Sequence, residues 1–125
     1  MRLAVGTQEY YTYPDVMVSC HDEDQHAKHE YRHPILIAEV LSPSTEAYDR
    51  GLKFNQYKKL PSLRHYLLVS QKIWMVEWFR RNEHDGWDYI VLAEPHDQLS
   101  FPEFGLTLTL AEVYAETGIV PMRAD

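Results

Sequence analysis

Residues 34–70 read PILIAEVLSPSTEAYDRGLKFNQYKKLPSLRHYLLVS, and they predict a strand, a helix and a second strand. Pro34 to Ser42 is an apolar run that suits a central strand covered on both faces, and only Glu39 interrupts it. Turn and capping residues follow, and a helix is expected to run to about Leu60, where a proline comes next. Leu63 to Ser70 should then lie parallel to the first strand, because a helical crossover returns the chain in the same direction.

The segments around this unit predict a mixed α/β (α+β) fold in one domain, residues 1–125, with its core at 10–117. Residues 21–33 are polar and are expected to form a loop. The remaining patterns predict strands at Tyr10–Cys20, Ile73–Arg81, Trp87–Ala93, Leu99–Phe101 and Leu106–Leu110, and a closing helix up to Gly118 with a Thr109–Glu112 capping box. Pro14 interrupts the first of these strands and leaves Asp15 at the start of its main pairing.

The composition excludes several classes of protein. With 125 residues, 45% apolar and 25% charged, the chain fits one globular domain rather than a disordered or fibrous protein. No apolar run reaches the roughly 18 residues of a membrane helix, and the N-terminus lacks the order of a signal peptide, so we expect a cytoplasmic protein with no membrane partner. The single Cys20 excludes an internal disulfide, and we expect it to be buried as a small apolar residue.

Charge is distributed unevenly along the chain. The formal net charge is −7, yet residues 50–81 hold eight Lys and Arg against Glu77 alone. A solvated helix flank and a charged hairpin are the ordinary explanation of such a run. A basic face that follows phosphates is also compatible with it.

Asp15, Glu39 and Lys53 need a joint explanation. A carboxylate inside a buried strand costs several kcal/mol unless a cation or hydrogen bonds compensate it. Carboxylates from adjacent strands can hold a hard divalent cation, and a lysine from the next helix can stabilise charge on a phosphodiester. The helix also places Asp49, Lys53 and Tyr57 on one face, because they are spaced i, i+4 and i+8.

These residues resemble the Uma-two family, whose members have the restriction-endonuclease-like PD-(D/E)XK fold. The resemblance is carried by PDV at 14–16, EVLSPST at 39–45, D-R-x-x-K at 49–53 and Tyr57. It implies an endonuclease that uses Mg²⁺ or Mn²⁺ and takes DNA as substrate.

The resemblance also implies the roles of individual residues. Asp15 and Glu39 would bind the metal through carboxylates, and Val40 through its carbonyl oxygen. Leu41 stands where the motif has lysine, so Lys53 is the candidate for the catalytic amine. Tyr57 and Asp49 would support the site.

Two alternatives stay open. Glu39 and Lys53 could form a purely structural ion pair, and Asp49 and Lys53 could form an ordinary helix salt bridge. The chain would then be a non-catalytic interaction module. Family members usually have a longer N-terminal part than this chain. Either the true start lies upstream, or the exposed sheet is covered by dimerisation, or the protein is a degenerate remnant of the family; a homodimer is the expected assembly.

Four histidines, His21, His26, His29 and His33, lie among acidic residues. Imidazole is a ligand for zinc or nickel, but the spacing of the four matches no established signature. A hydrated loop is the favoured interpretation.

Overall fold

A computed structural model describes residues 2–6, 10–26 and 30–121 and has a mixed α/β fold. Its strands are β1 (Arg2–Val5), β2 (Tyr10–Thr12), β3 (Val16–Val18), β4 (Glu30–Tyr31), β5 (Leu36–Val40), β6 (His65–Val69), β7 (Ile73–Trp74), β8 (Val76–Arg81), β9 (Trp87–Leu92), β10 (Gln98–Phe101), β11 (Leu106–Thr109) and β12 (Val120–Pro121). Its helices are α1 (Asp22–Gln25), α2 (Glu46–Tyr48), α3 (Phe54–Tyr57) and α4 (Leu110–Tyr114), with a π-helical segment at Asp49–Lys53 and a 3-10 turn at Pro102–Phe104.

A five-stranded sheet in the order β3-β5-β6-β8-β9 forms the centre of the fold. β5 and β6 are parallel, with Leu36 opposite His65 and Val40 opposite Val69, as the crossover predicts. The other pairings in this sheet are antiparallel. Three smaller sheets, β2-β1-β4, β10-β11 and β12-β7, surround it.

Both faces of the central sheet are covered, because alternate residues of β5 enter two different apolar clusters. Ile37 packs with the helix between β5 and β6 and with β1, whereas Leu36 and Ala38 pack with β10 and α4. Successive side chains of a strand point to opposite faces. Glu39 therefore lies on the helix side of the sheet together with Ile37, in a position that is otherwise apolar.

The helix that connects β5 to β6, here called the crossover helix, runs from α2 through the π-helical segment to α3. The sequence predicts that Tyr48, Leu52 and Leu60 pack on the sheet. This is wrong for two of them: Tyr48 is 43% exposed and Leu52 is 66% exposed, while Leu60 is buried. A π-helical turn is wider than an α-helical one and rotates the side chains relative to the α-helical pattern. Asp49, Lys53 and Tyr57 face the sheet and share one face as predicted, and Phe54 and Leu60 are buried on the same side.

The region before β5 differs most from the prediction. Tyr10–Cys20 is two strands in two sheets, because the chain turns at Pro14 between β2 and β3. The expected loop at residues 21–33 contains α1 and β4. Cys20 is exposed rather than buried, since it follows the last residue of β3 and precedes α1. β1 forms from a short apolar segment for which the sequence predicts no strand.

The C-terminal half follows the prediction in its order of strands but differs in two bounds. The closing helix ends at Tyr114 rather than at Gly118, because the backbone leaves helical geometry at Ala115 and has positive φ at Glu116 and Gly118. The predicted strand Ile73–Arg81 is divided into β7 and β8.

β6 and β8 pair in antiparallel fashion, although the two-residue strand β7, paired with β12, intervenes between them. β9 continues the meander and β10 pairs with β11. Thr109 and Glu112 form the predicted capping box at the start of α4. Among the described residues, no helix is long and apolar enough to cross a membrane.

Candidate active site

Asp15 lies at the turn between β2 and β3 and is joined to β5 by two hydrogen bonds. Its backbone N–H donates to Glu39 Oε1 at 2.9 Å, and its carboxylate Oδ2 accepts from the backbone N–H of Val40 at 2.7 Å. Pro14 has no N–H to contribute to a ladder, which favours the break in pairing at this point. The two acids are thus held next to each other, at the edge between β3 and β5.

Glu39 is 2% exposed and has a full set of partners. Its Oε2 accepts from Lys53 Nζ, which also forms an ion pair with it, and from the hydroxyl of Tyr57 at 3.3 Å. The Tyr57 hydroxyl lies 3.2 Å from Thr12 Oγ1 in β2. These contacts compensate the burial of the Glu39 carboxylate, which would otherwise be very unfavourable.

Asp49 adds a third acid to the same pocket. It is 3% exposed, and its Oδ2 accepts a hydrogen bond from the Thr45 hydroxyl at 3.2 Å. Its Oδ1 lies 3.6 Å from Lys53 Nζ, within ion-pair range, and has no hydrogen-bond partner among the described residues. Lys53 therefore stands between two buried carboxylates, those of Glu39 and Asp49.

The pKa of Lys53 reflects this position. Burial acts to lower the pKa of the amine, but the hydrogen bond and charge of Glu39, with the charge of Asp49, outweigh burial and raise the pKa above its usual value. Lys53 consequently keeps its proton at neutral pH. It serves the pocket as a cation and hydrogen-bond donor.

Among the predicted site residues, the side chains of Glu39, Asp49, Lys53 and Tyr57 meet on the helix side of the sheet. Asp15 contacts Glu39 through its backbone N–H, and its exposed carboxylate accepts from the backbone of Val40. Val40 contributes its backbone, and its side chain is exposed on the other face. Leu41, at the motif position of lysine, is buried in the apolar cluster on the helix side. An amine from the crossover helix thus lies close to the acids of the sheet.

A second buried ion pair lies beside the first. Arg50 binds Glu77 of β8 through two nitrogens and also Glu46, and Tyr89 donates to Glu77 at 2.7 Å. The hydrogen bond with Glu77 raises the pKa of Arg50, and the same carboxylate raises the pKa of Tyr89. Sequence reasoning assigned Glu77 no role, although it interrupts an apolar strand just as Glu39 does.

The basic segment 50–81 does not form one open positive face. Arg50 and Lys53 are neutralised by buried acids, and Arg81 is engaged with backbone carbonyls and Asp85. The exposed cations that remain are Lys58, Lys59, Arg64, Lys72 and Arg80, and Arg80 pairs with the exposed Asp88. These contacts fit the interpretation of a solvated helix flank and a charged hairpin better than a continuous phosphate track.

The histidines of residues 21–33 are partly clustered. His21, Glu23 and His33 have potential ligand atoms within 4.8 Å of one another. His26 is exposed and is not part of this group. His29 lies outside the described residues.

The fold is shared with a known structure. A crystal structure described as a putative nuclease belonging to DUF820, from Anabaena variabilis ATCC 29413, matches with a TM-score of 0.67 over 91% of this chain and 64% of that chain. The sequence identity is 18%, so this similarity concerns the fold. It confirms the predicted mixed α/β class.

The family model Uma2, described as "Putative restriction endonuclease", matches residues 1–111, and the chain belongs to this family. The protein slr1290 of Synechocystis sp., described as uncharacterized, is 36% identical over 114 residues, which cover 91% of this chain and 60% of that protein. A second, sll1609, is 34% identical over 103 residues, or 81% of this chain and 58% of that protein. The chain thus spans about 60% of the length of these relatives.

Proposed function

We propose that the chain is a metal-dependent endonuclease that hydrolyses phosphodiester bonds of DNA with Mg²⁺ or Mn²⁺. The observation that carries the proposal is the convergence of Asp15, Glu39 and Lys53 in one pocket on the helix side of the sheet. Membership of a family described as putative restriction endonucleases supports the same reaction class.

The donor set of the pocket fits a hard divalent cation. Asp15, Glu39 and the carbonyl of Val40 would hold it, since all three offer oxygen, the ligand that Mg²⁺ prefers. The charge balance agrees with this assignment, because the buried carboxylates of Glu39 and Asp49 share the single ammonium of Lys53, and Asp15 adds a further carboxylate beside Glu39. This local excess of negative charge favours a bound cation. The buried Asp49 Oδ1 that lacks a hydrogen bond is consistent with a further polar group in the pocket.

The chain's own groups have separable roles in hydrolysis. When bound, the cation supplies Lewis-acid polarisation of the phosphodiester and activation of water. Lys53 keeps its proton, so it stabilises negative charge that develops on the phosphoryl oxygens and orients water rather than removing a proton from it. Tyr57 fixes the Glu39 carboxylate through its hydroxyl, and Asp15 is fixed by the backbone of Val40.

Cleavage of supercoiled plasmid DNA in Mg²⁺ or Mn²⁺ tests the proposal. We expect Asp15→Asn and Glu39→Gln to lower the rate about 100-fold or more, in the range found when one charge-stabilising group is removed from an active site. Glu83→Gln is the matched control, because Glu83 is exposed in the turn between β8 and β9. Equal rates in all four proteins, or full activity in excess EDTA, would remove the proposal. An RNA of the same sequence tests the choice of DNA.

A non-catalytic interaction module is the second candidate. The observation that favours it is the closed Glu39–Lys53 ion pair, which satisfies the buried acid without a metal. This function predicts no heat on titration of Mg²⁺ in calorimetry, whereas the nuclease predicts binding that Asp15→Asn abolishes.

The predicted homodimer is compatible with both functions. The outer strands of the central sheet carry exposed apolar side chains, Val16 on β3 and Tyr89 and Val91 on β9. Exposed edges of this kind are sites of strand pairing between chains. Sedimentation equilibrium of the full chain gives its mass, and a monomer over the whole concentration range would refute the dimer.

A further inference from the structure

His21, Glu23 and His33 form a cluster of metal-ligating groups that the nuclease site does not use. One potential ligand atom from each of the three lies within 4.8 Å of the others. The two imidazole rings are stacked with their centroids 3.9 Å apart, and a His33 ring nitrogen lies 3.0 Å from a Glu23 carboxylate oxygen. The cluster joins the start of α1 to the residue that precedes Pro34.

A buried acid holds the two ends of this segment together. Asp24 is 3% exposed and accepts hydrogen bonds from the Ser19 hydroxyl at 2.6 Å, from Arg32 N at 2.9 Å and from His33 N at 2.8 Å. The backbone at His33 is therefore fixed relative to Ser19, which precedes His21 by two residues. Because the backbones near His21 and at His33 are already held next to each other, a metal ion would not have to bring these two residues together.

One ring nitrogen of His21 faces a backbone donor. Its Nδ1 accepts a long hydrogen bond, 3.2 Å, from the backbone N–H of Glu23 at the start of α1. A metal ion at this nitrogen would replace a weak hydrogen bond at little cost.

We propose that His21, Glu23 and His33 bind a transition-metal ion of the class that prefers imidazole, with Zn²⁺ as its first member. Two histidines and one glutamate are an established ligand set for Zn²⁺, with the fourth position left for water. Imidazole selects such ions over Mg²⁺, which prefers carboxylate and carbonyl oxygen.

This site is separate from the oxygen-lined pocket. Val18 pairs with Leu36 at the start of β5, and the cluster lies beyond that end of the strand. Glu39 lies three residues further along β5, which corresponds to about 10 Å of strand. The two sites therefore differ in both position and ligand chemistry, and a bound ion would link the segment between β3 and β5 at its two ends.

Isothermal titration of the metal-free full chain with Zn²⁺ tests the proposal. We expect the cluster to bind one equivalent of Zn²⁺. His21→Ala and His33→Ala should each weaken this binding about 100-fold or more. This loss exceeds the 10- to 100-fold that follows the loss of a residue that only supports a metal ligand. His26→Ala is the matched control, because His26 lies in the same segment outside the cluster. The affinity of this variant for Zn²⁺ should stay within about twofold of that of the wild type.

Two further measurements make the result decisive. Glu39→Gln removes an acid of the other pocket and should leave the Zn²⁺ equivalent in place, so failure of the nuclease proposal does not affect this one. With Co²⁺ in place of Zn²⁺, the ligand-field absorption should lose its imidazole character in His21→Ala and His33→Ala only. Circular dichroism of the metal-free variants confirms that they fold. Absence of Zn²⁺ binding in the wild type, or identical binding in His21→Ala and His26→Ala, would overturn the proposal.

Discussion

Replacement of Lys53 by methionine should destabilise the protein strongly, because it leaves two buried acids without their cation. Lys53 is the only side-chain cation that contacts Glu39 among the described residues, and it is the ion-pair partner of Asp49. Removal of one partner from a buried ion pair costs about 3–5 kcal/mol. Glu39 would retain hydrogen bonds from the Asp15 N–H and the Tyr57 hydroxyl, so we expect a value near the lower limit, about 3 kcal/mol.

Urea unfolding followed by tryptophan fluorescence, in EDTA at pH 7.5, measures this loss. The double variant Glu39→Gln/Lys53→Met removes both charges of this pair and should lose less than Lys53→Met, because replacing both partners of a buried pair is often close to neutral and only Asp49 is then left without its cation. The double-mutant cycle then isolates a favourable coupling between the two residues. Lys59→Met is the matched control: its side chain is exposed and bonds only Gln56 among the described residues, so the change should stay within about 0.5 kcal/mol.

A loss in Lys53→Met no larger than that in Lys59→Met would refute the reasoning. So would a coupling energy of zero, since it would mean that Glu39 is stabilised by its hydrogen bonds alone.

Three further predictions concern other parts of the molecule. Burial lowers the pKa of His65 below its usual 6.5, although the hydrogen bond with Glu103 acts in the opposite direction. Unfolding therefore binds a proton, and the free energy of unfolding should fall as the pH drops below 6.5. In urea unfolding between pH 7.5 and 5, His65→Asn should show a weaker pH dependence than the wild type. Thr109→Ala removes the capping box of α4 and should cost about 1 kcal/mol, measured as a shift in the urea midpoint at constant slope; an unchanged midpoint would contradict it. Tyr57→Phe deletes one hydrogen bond to Glu39 and should cost about 1 kcal/mol while lowering the proposed DNA cleavage; a variant as stable and active as the wild type would show that the hydroxyl does not fix Glu39.

The centre of the fold and its pocket could be predicted because their signals are local. The apolar run of β5, the helix that follows and the apolar run of β6 lie within one segment and dictate a parallel pair. Glu39 stands out as an acid in an apolar strand, and the helical spacing places Lys53 and Tyr57 on one face. Pro14 predicts that strand pairing begins next to Asp15, and Asp15 directly precedes β3.

The other features depend on contacts between distant residues. Nothing in residues 10–20 indicates that β2 pairs with β1 and β3 with β5, so one strand was predicted where two sheets begin. A π-helical turn has no simple sequence pattern, and this accounts for the wrong assignment of Tyr48 and Leu52. Glu77 interrupts an apolar strand as Glu39 does, but its cation, Arg50, lies 27 residues away in the chain, and no local spacing indicates that the two pair.

The π-helical segment also bears on which changes in chain length the protein can tolerate. Each residue of an α-helix advances the side-chain direction by about 100°, and each residue of the wider π-helical turn advances it by less. The five residues Asp49–Lys53 therefore turn the chain through about the same angle as four α-helical residues would. If one residue were deleted between Asp49 and Lys53, the segment would wind as regular α-helix, and Phe54 and Tyr57 would keep their direction toward the strands. Loss of one residue should therefore disturb the fold less here than in a regular α-helical turn, where it would rotate every side chain that follows.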